Sequence, residues 1–196
     1  MSILLLAGSP SIPSRSTRLL HHVGERLAAL GHGISTLQVL DLPAQALLHA
    51  DFKNAELTKA KAQVELADAI VIGTPVYKAA YSGIVKAFLD VLPQDGFAGK
   101  LVLPLATGGS QSHMLALDYA LRPVLSALGA RQILPSIYAT DAQIVWNAET
   151  GLALDPGIAQ RVDAGVQHLS TNLHALRASR STAFPSVPFS QVRCSV

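Results

Sequence analysis

An unbroken apolar run near the N-terminus constrains the fold more than any other part of the sequence. The run from Ile3 to Leu6 leads through Ala7 into Gly8, and a helical spacing of apolar residues begins one short loop later. A short continuous apolar run before a glycine is typical of a strand that is buried on both faces, as in a parallel sheet. We therefore expect the chain to open with a strand–loop–helix unit of an α/β fold.

The loop between this strand and its helix carries hydroxyl groups and one fixed positive charge. The residues concerned are Ser9, Ser14, Ser16, Thr17 and Arg15. The helix that follows points its unpaired N–H groups, and the positive end of its dipole, back at the loop. Together these groups can cradle a phosphate. The alternative is an ordinary turn in which the serines and the threonine only cap the helix.

The strand–helix unit recurs along the chain. Apolar runs predict further strands over 33–40, 68–74, 100–106 and 131–138, and helical spacing predicts helices over 14–30, 55–66, 82–92, 113–128 and 156–177. This alternation favours a doubly wound parallel sheet with helices on both faces. We expect one α/β domain over 1–178, a flavodoxin-like sheet of five strands in the order 2-1-3-4-5, and an irregular tail over 179–196.

The composition narrows the function classes. The chain has a net charge of +2 without a basic block before its last helix, so nucleic-acid binding has no support. Its single cysteine, Cys194, excludes an intrachain disulfide and a cysteine metal cluster, and we expect no metal site. Hydrophobic residues make up 49% of the chain without a run long enough to span a membrane, which indicates subunit interfaces. Without an export signal, we expect a cytoplasmic protein.

Three predicted strands end in segments suited to a flat, phosphorylated ligand. The first is the loop with the hydroxyl groups and Arg15 described above, which we call the phosphate loop. The second offers Tyr77 after Pro75, and the third offers Gly108 and Gly109. An aromatic side chain can stack on a planar ring, and glycines let the backbone approach a ligand closely. Because neighbouring parallel strands end at one edge of the sheet, one ligand can contact all three segments. A phosphate at one end and a heteroaromatic ring at the other describe flavin mononucleotide (FMN).

Three sequence segments resemble the NAD(P)H-dependent FMN reductases. They lie at 8–16, 74–83 and 103–109, and within that family they resemble the reductase component of the two-component alkanesulfonate monooxygenase system. The resemblance implies that the FMN phosphate is held by Ser9, Arg15, Ser16 and Thr17. It implies that Pro75, Val76 and Tyr77 flank the isoalloxazine and that Thr107, Gly108 and Gly109 line its edge. Lys78 and Arg15 are the cations expected near a pyridine-nucleotide phosphate.

The predicted helix over 113–128 contains two further candidates and an internal proline. Pro123 removes a backbone hydrogen bond and should kink the helix one turn after Tyr119. Spacing alone favours a core tyrosine. In the sulfonate reductases, however, the matching tyrosine forms a π-helix at a tetramer interface, so the resemblance makes Tyr119 a candidate for flavin exchange and assembly. His113 is a weak candidate near the flavin, and Asp141 with Gln143 are weak candidates for nucleotide or subunit contact.

The resemblance implies that FMN is reduced to FMNH2 by NADPH or NADH and supplied to a partner flavin-dependent monooxygenase that removes sulfonate groups. It also implies a homo-oligomer, either a dimer or a tetramer. Hydride transfer between two cofactor rings needs no protein acid or base, so no catalytic residue is expected. One alternative is a flavoprotein with tightly bound FMN that reduces a quinone or an azo dye. Another is a flavodoxin-type electron carrier, which the positive net charge disfavours.

Overall fold

A computed structural model describes residues 1–149 and 151–181 of the chain. Its centre is a mostly parallel sheet built from β1 (Ser2–Ala7), β2 (Gly33–Gln38), β3 (Ala69–Tyr77), β5 (Leu101–Gly108) and β6 (Gln132–Ile133). These strands lie in the order β2-β1-β3-β5-β6, and β7 (Ile137–Thr140) also pairs with β5. A short strand between β3 and β5 in the chain pairs only with β3 among the described strands. Without it, the order is the predicted flavodoxin-like order 2-1-3-4-5.

The first strand shows why an unbroken apolar run was needed. Ile3, Leu5 and Ala7 belong to one buried cluster of the protein, whereas Leu4 and Leu6 belong to another. Successive side chains of a strand alternate between the two faces of the sheet, so a strand covered on both faces must be apolar at every position.

Helices cover both faces of the sheet. The helices are α1 (Arg15–Ala29), α2 (Ala44–Leu48), α3 (Ala55–Leu66), α4 (Gly83–Asp90), α5 (Arg122–Ala127) and α6 (Pro156–Ser181). Buried residues of α1 and α6 share one cluster, and those of α2 to α5 share the other. The α6 helix runs through Ser181, past the end predicted near residue 177. The remainder of the predicted tail, with Cys194, lies outside the described residues.

The structure corrects the prediction of a continuous fifth strand over 131–138. Pairing along β5 breaks between β6 and β7, at Leu134, Pro135 and Ser136. Pro135 lies in this gap, and its fixed φ and missing N–H disfavour regular strand geometry there. The ladder resumes at Ile137 beside Leu105, so the strand order is unchanged.

The helix predicted over 113–128 is a composite of three helical types. A 3₁₀ turn (Gln111–His113) comes first, a π-helix (Leu117–Leu121) follows, and α5 completes it. Because Pro123 has no N–H, the carbonyl of Tyr119 loses the donor that an α-helix would provide there. Widening of the helix just before the proline is consistent with that loss.

Sequence patterns also missed several short elements. The connection predicted over 41–53 contains α2, after a 3₁₀ turn at Val39–Asp41. The third strand continues to Tyr77 and folds back as β4 (Ala80–Tyr81), and a separate hairpin of β8 (Ile144–Asn147) and β9 (Gly151–Leu154) precedes α6. In the part of the chain that the structure describes, no helix combines the length and apolarity needed to cross a bilayer.

Candidate functional site

The three segments predicted to bind a ligand meet at the carboxyl edge of the sheet. They belong to β1, β3 and β5, which are adjacent strands, and they enclose a cavity of about 330 Å³. The predicted residues that line it are Ser9, Arg15, Pro75, Val76, Tyr77, Thr107, Gly108 and Gly109. Ser11, Pro13, Ser14 and Asp141 complete its wall. The first three belong to the loop that sequence reasoning identified, whereas Asp141 had only a weak signal.

Three other predicted site residues, Ser16, Thr17 and Lys78, are not among those that line the cavity. Ser16 is buried, and its hydroxyl lies 2.9 Å from that of Ser14. The backbone N–H of Thr17 donates to the Ser14 hydroxyl at 3.3 Å, which makes Ser14 the N-cap of α1. Ser16 and Thr17 therefore hold Ser14, which itself faces the cavity, and the long α1 helix begins directly at the cavity wall.

The positive charge of the phosphate loop already has an acidic partner. The Arg15 guanidinium lies 3.6 Å from the carboxylate of Asp141, and each side chain is about half exposed, at 52% and 46%. Asp141 begins a 3₁₀ turn in which Thr140 and Gln143 form a capping box. The sequence could not pair these charges, because Asp141 follows β7 and is far along the chain from the start of α1.

A tight hairpin positions Tyr77 at the cavity. Val76 pairs with Tyr81 and Tyr77 with Ala80, so only Lys78 and Ala79 form the turn. Both turn residues have positive φ, 50° and 62°, as a type I′ hairpin turn requires. Lys78 is therefore an exposed turn residue, and Tyr77 stays 48% exposed beside the cavity.

Buried hydroxyl groups tie this hairpin to the phosphate loop. The Thr74 hydroxyl accepts the backbone N–H of Ser82 at 3.0 Å, and the Ser82 hydroxyl donates to the carbonyl of Gly8. The Gly8 N–H in turn donates to the carbonyl of Gly73 at 2.8 Å. These bonds fix the ends of β1 and β3, and with them two of the segments that line the cavity, relative to each other.

The third segment depends on a tyrosine that sequence reasoning did not identify as part of the site. A Cβ atom placed on Gly108 would lie 2.6 Å from the hydroxyl of Tyr138, whereas one on Gly109 would meet no atom within 4 Å. The Tyr138 hydroxyl donates to the carbonyl of Ser110 at 2.6 Å. Burial raises the pKa of Tyr138, and the charge of Asp141 adds to the effect, so the phenol stays a donor at neutral pH. The Gly108–Gly109 backbone is thus held open toward the cavity, which suits the edge of a flat ligand.

Tyr119 lies on the surface of the π-helix. Its side chain is 78% exposed, so it is not the core tyrosine that spacing alone favoured. The Arg122 N–H bonds to the carbonyl of Leu117, the i→i−5 pattern of a π-helix. The Arg122 guanidinium also reaches the carboxylate of Asp118 and the carbonyl of Ile133, which fastens the π-helix to the sheet. His113 ends the preceding 3₁₀ turn, half-buried, and is not among the residues that line the cavity.

A larger cavity, of about 620 Å³, lies at the amino-terminal ends of the strands. Its wall includes Phe52 and Lys100, and the Lys100 ammonium already donates to the carbonyls of Glu65 and Ala67. Parallel α/β sheets bind ligands at the opposite edge, where the smaller cavity collects hydroxyls, an arginine and open backbone.

Comparison with known proteins identifies the family of this chain. The family model for NADPH-dependent FMN reductase matches residues 1–144. FMN reductase (NADPH) of Escherichia coli K12 is 41% identical over 174 residues, covering 89% of this chain and 91% of that one. FMN reductase (NADPH) of Pseudomonas putida is 47% identical over 146 residues, covering 74% of each. A crystal structure of the NADH:FMN oxidoreductase EmoB in its apo form superposes with a TM-score of 0.80 at 38% identity, covering 87% of this chain and 89% of that one. The chain therefore belongs to the NADPH-dependent FMN reductase family.

Proposed function

We propose that this protein supplies reduced flavin to a partner monooxygenase: it binds FMN at the carboxyl edge of its sheet, reduces it with NAD(P)H and releases FMNH2. NAD(P)H-dependent FMN reduction is the activity that the family membership gives, with FMN and NAD(P)H as its small-molecule partners. The further step that we propose is the release of FMNH2, in the cytoplasm, to a monooxygenase that removes sulfonate groups. The observation that carries it is the ion pair between Arg15 and Asp141 inside the phosphate cradle.

The residues around the cavity fit FMN. The Ser9 hydroxyl, the start of α1 and the Arg15 guanidinium would hold the phosphate, because an anion is stabilised by N–H groups and positive charge at a helix N-terminus. Val76 and Tyr77 would flank the ring, and the backbone at Gly109 would meet its edge. FMN held there would supply the hydride-accepting ring, and these residues would align it with the nicotinamide and set the charge around it.

The Arg15–Asp141 pair favours a flavin that leaves after reduction. The FMN phosphate must compete with the Asp141 carboxylate for the guanidinium, and it must lie near a second negative charge. Between exposed charges, repulsion of this kind amounts to about 1 kcal/mol, or roughly fivefold in affinity. Among the described residues that line the cavity, Tyr77 is the one aromatic side chain, and it is half exposed. A weakly held phosphate and a partly covered ring are what an exchangeable substrate needs.

We also propose that the π-helix surface mediates self-association, as a dimer or a tetramer. Tyr119, Leu115 and Met114 are all large and about half or more exposed, so the π-helix and the residues just before it present apolar area to solvent. Covering such a surface removes apolar area from water. Assembly through this surface would couple flavin exchange to oligomeric state. Light scattering of the protein and of Tyr119→Ala measures this; an unchanged mass would contradict it.

The decisive experiment follows anaerobic NADPH oxidation by desalted protein while FMN is raised from far below to far above the enzyme concentration. We expect each subunit to turn over many equivalents of FMN and to leave free FMNH2. Reduction that stops at one equivalent per subunit would refute release and favour the quinone or azo-dye reductase with bound flavin. Absence of NADPH oxidation at every FMN concentration would refute the activity itself.

A further inference from the structure

A second cavity adjoins the phosphate end of the FMN site. It has a volume of about 350 Å³ and lies between the start of α1 and the β8–β9 hairpin. Its lining residues are Pro13, Ser14, Arg15, Arg18, Asp141, Ile144, Val145 and Trp146. The first three of these and Asp141 also line the FMN cavity, so the two cavities share a wall at the place where the phosphate would lie.

Trp146 and Arg18 form an exposed aromatic and cationic pair in this second cavity. The guanidinium carbon of Arg18 lies 3.8 Å from the centroid of the Trp146 ring, a cation–π contact. The indole nevertheless stays 46% exposed, and Val145 beside it is 58% exposed. The hairpin is held in place by Ile144, which is buried in the core. A large aromatic kept at the surface on an anchored hairpin, beside a second arginine, is more suited to a ligand than to packing.

We propose that this cavity binds the adenosine phosphate moiety of a dinucleotide, with phosphate between Arg15 and Arg18 and adenine against Trp146. Planar guanidinium groups bind phosphate oxygens in pairs, and an indole stacks well on a nucleobase. Two arginines face one carboxylate here, so the cavity has net positive charge for a phosphate. The inference rests on the proposed FMN site, because that site places a phosphate at the shared wall.

Two kinds of molecule carry this moiety to such an enzyme: FAD, and the nicotinamide dinucleotide as NADH or NADPH. In FAD, a second phosphate links the FMN phosphate to adenosine. The second cavity adjoins the phosphate end of the FMN site, where this extension would begin. NADPH carries an adenosine with an additional 2′-phosphate. Both require the same recognition chemistry, and kinetics separates them.

The direct test uses Trp146 as its own reporter, because it is the single tryptophan of the chain. The full-length protein without flavin is titrated with ADP while tryptophan fluorescence is recorded. We expect a saturable change, weakened at least tenfold by Arg18→Ala and partly retained by Arg18→Lys, which keeps the charge. Arg26→Ala is the matched control, since Arg26 lies on the same helix in an ion pair with Asp163, outside the cavity. No saturable change, or equal weakening by the Arg18 and Arg26 variants, would overturn the proposal.

Steady-state kinetics then identifies the source. If the nicotinamide dinucleotide is the ligand, Arg18→Ala raises the KM of both NADPH and NADH about tenfold and leaves the ratio of FAD to FMN activity unchanged. If FAD is the ligand, the variant lowers kcat/KM for FAD about tenfold relative to FMN. Unchanged values for both would overturn a role in the reaction. ADP binding can be measured without flavin reduction, so the two proposals fail separately. A protein that binds ADP but does not reduce FMN would contradict only the proposed function. A protein that reduces FMN but does not bind ADP would contradict only this inference.

Discussion

The contact between Gly108 and Tyr138 can be tested by a double-mutant cycle. In Gly108→Ala the new Cβ would lie 2.6 Å from the Tyr138 hydroxyl, well inside van der Waals contact. The backbone of Gly108 is not in the left-handed region, so the conformation itself tolerates alanine. The clash must move the tyrosine ring or β5, and it must disturb the hydroxyl's hydrogen bond to Ser110. Overpacking together with one lost hydrogen bond costs about 3 kcal/mol.

Tyr138→Phe removes the clashing atom. Alone it loses one hydrogen bond, and because Ser110 is exposed its carbonyl regains water, so we expect a cost of about 1 kcal/mol. In the phenylalanine background the nearest atoms to a Cβ at Gly108 would be the ring carbon and the Val76 Cβ, each at 3.4 Å. That separation is an ordinary close contact. Gly108→Ala should then cost about 0.5 kcal/mol, which is a coupling energy of about 2.5 kcal/mol.

Urea denaturation of the four proteins measures the cycle, provided that the m-value stays constant. Gly83→Ala is the control, since a Cβ there meets nothing within 4 Å and should leave stability unchanged or raised. The KM for FMN should rise in Gly108→Ala and return toward the wild-type value in the double variant. If Gly108→Ala costs the same in both backgrounds, the tyrosine hydroxyl does not hold this segment and the reasoning fails.

Three further predictions follow from single contacts. Asp141→Asn should tighten FMN binding roughly fivefold because it frees Arg15, and the gain should be smaller at high salt. Flavin fluorescence measures the affinity, and equal affinities of the two proteins would contradict the proposed competition. His32 is buried, and burial foremost lowers its pKa below 6.5, so the folded state disfavours the proton that the unfolded chain accepts. Stability should fall as pH drops through about 6.5, and urea midpoints at pH 7.5 and 5.5 should differ less in His32→Gln. Ala79→Gly should raise the free energy of unfolding by about 0.5 kcal/mol, because relief of the positive φ exceeds the entropy cost of glycine; a lower urea midpoint would refute this.

Much of the site follows from sequence because its pieces lie at strand ends. A buried strand is recognisable from its apolar run, and the residues that follow it must emerge at the carboxyl edge. For that reason Ser9, Tyr77 and Gly108 could be placed together before any coordinates were known, and the structure brings them to one cavity. The role of each in binding FMN stays a prediction until variants are measured.

Contacts between residues from distant segments gave no such signal, even where one of the two residues was predicted. Asp141 and Arg15 are separated by nearly the whole domain in sequence, as are Trp146 and Arg18, and only the packing of β7 and the β8–β9 hairpin beside α1 joins them. Tyr138 was expected only as a strand residue, because nothing local shows that its hydroxyl meets Gly108.

The sequence by itself therefore determined the layered α/β architecture, the strand order and the edge at which a ligand is expected to bind. Those features arise from the periodicity of apolar residues and from glycine and proline chemistry, which act over a few neighbouring positions. Only the tertiary structure decided where the fifth strand breaks, that Tyr119 is exposed rather than in the core, and which charges face one another across the cavity. These features depend on the balance of contacts between segments far apart in the chain, and such a balance leaves no periodic trace in sequence.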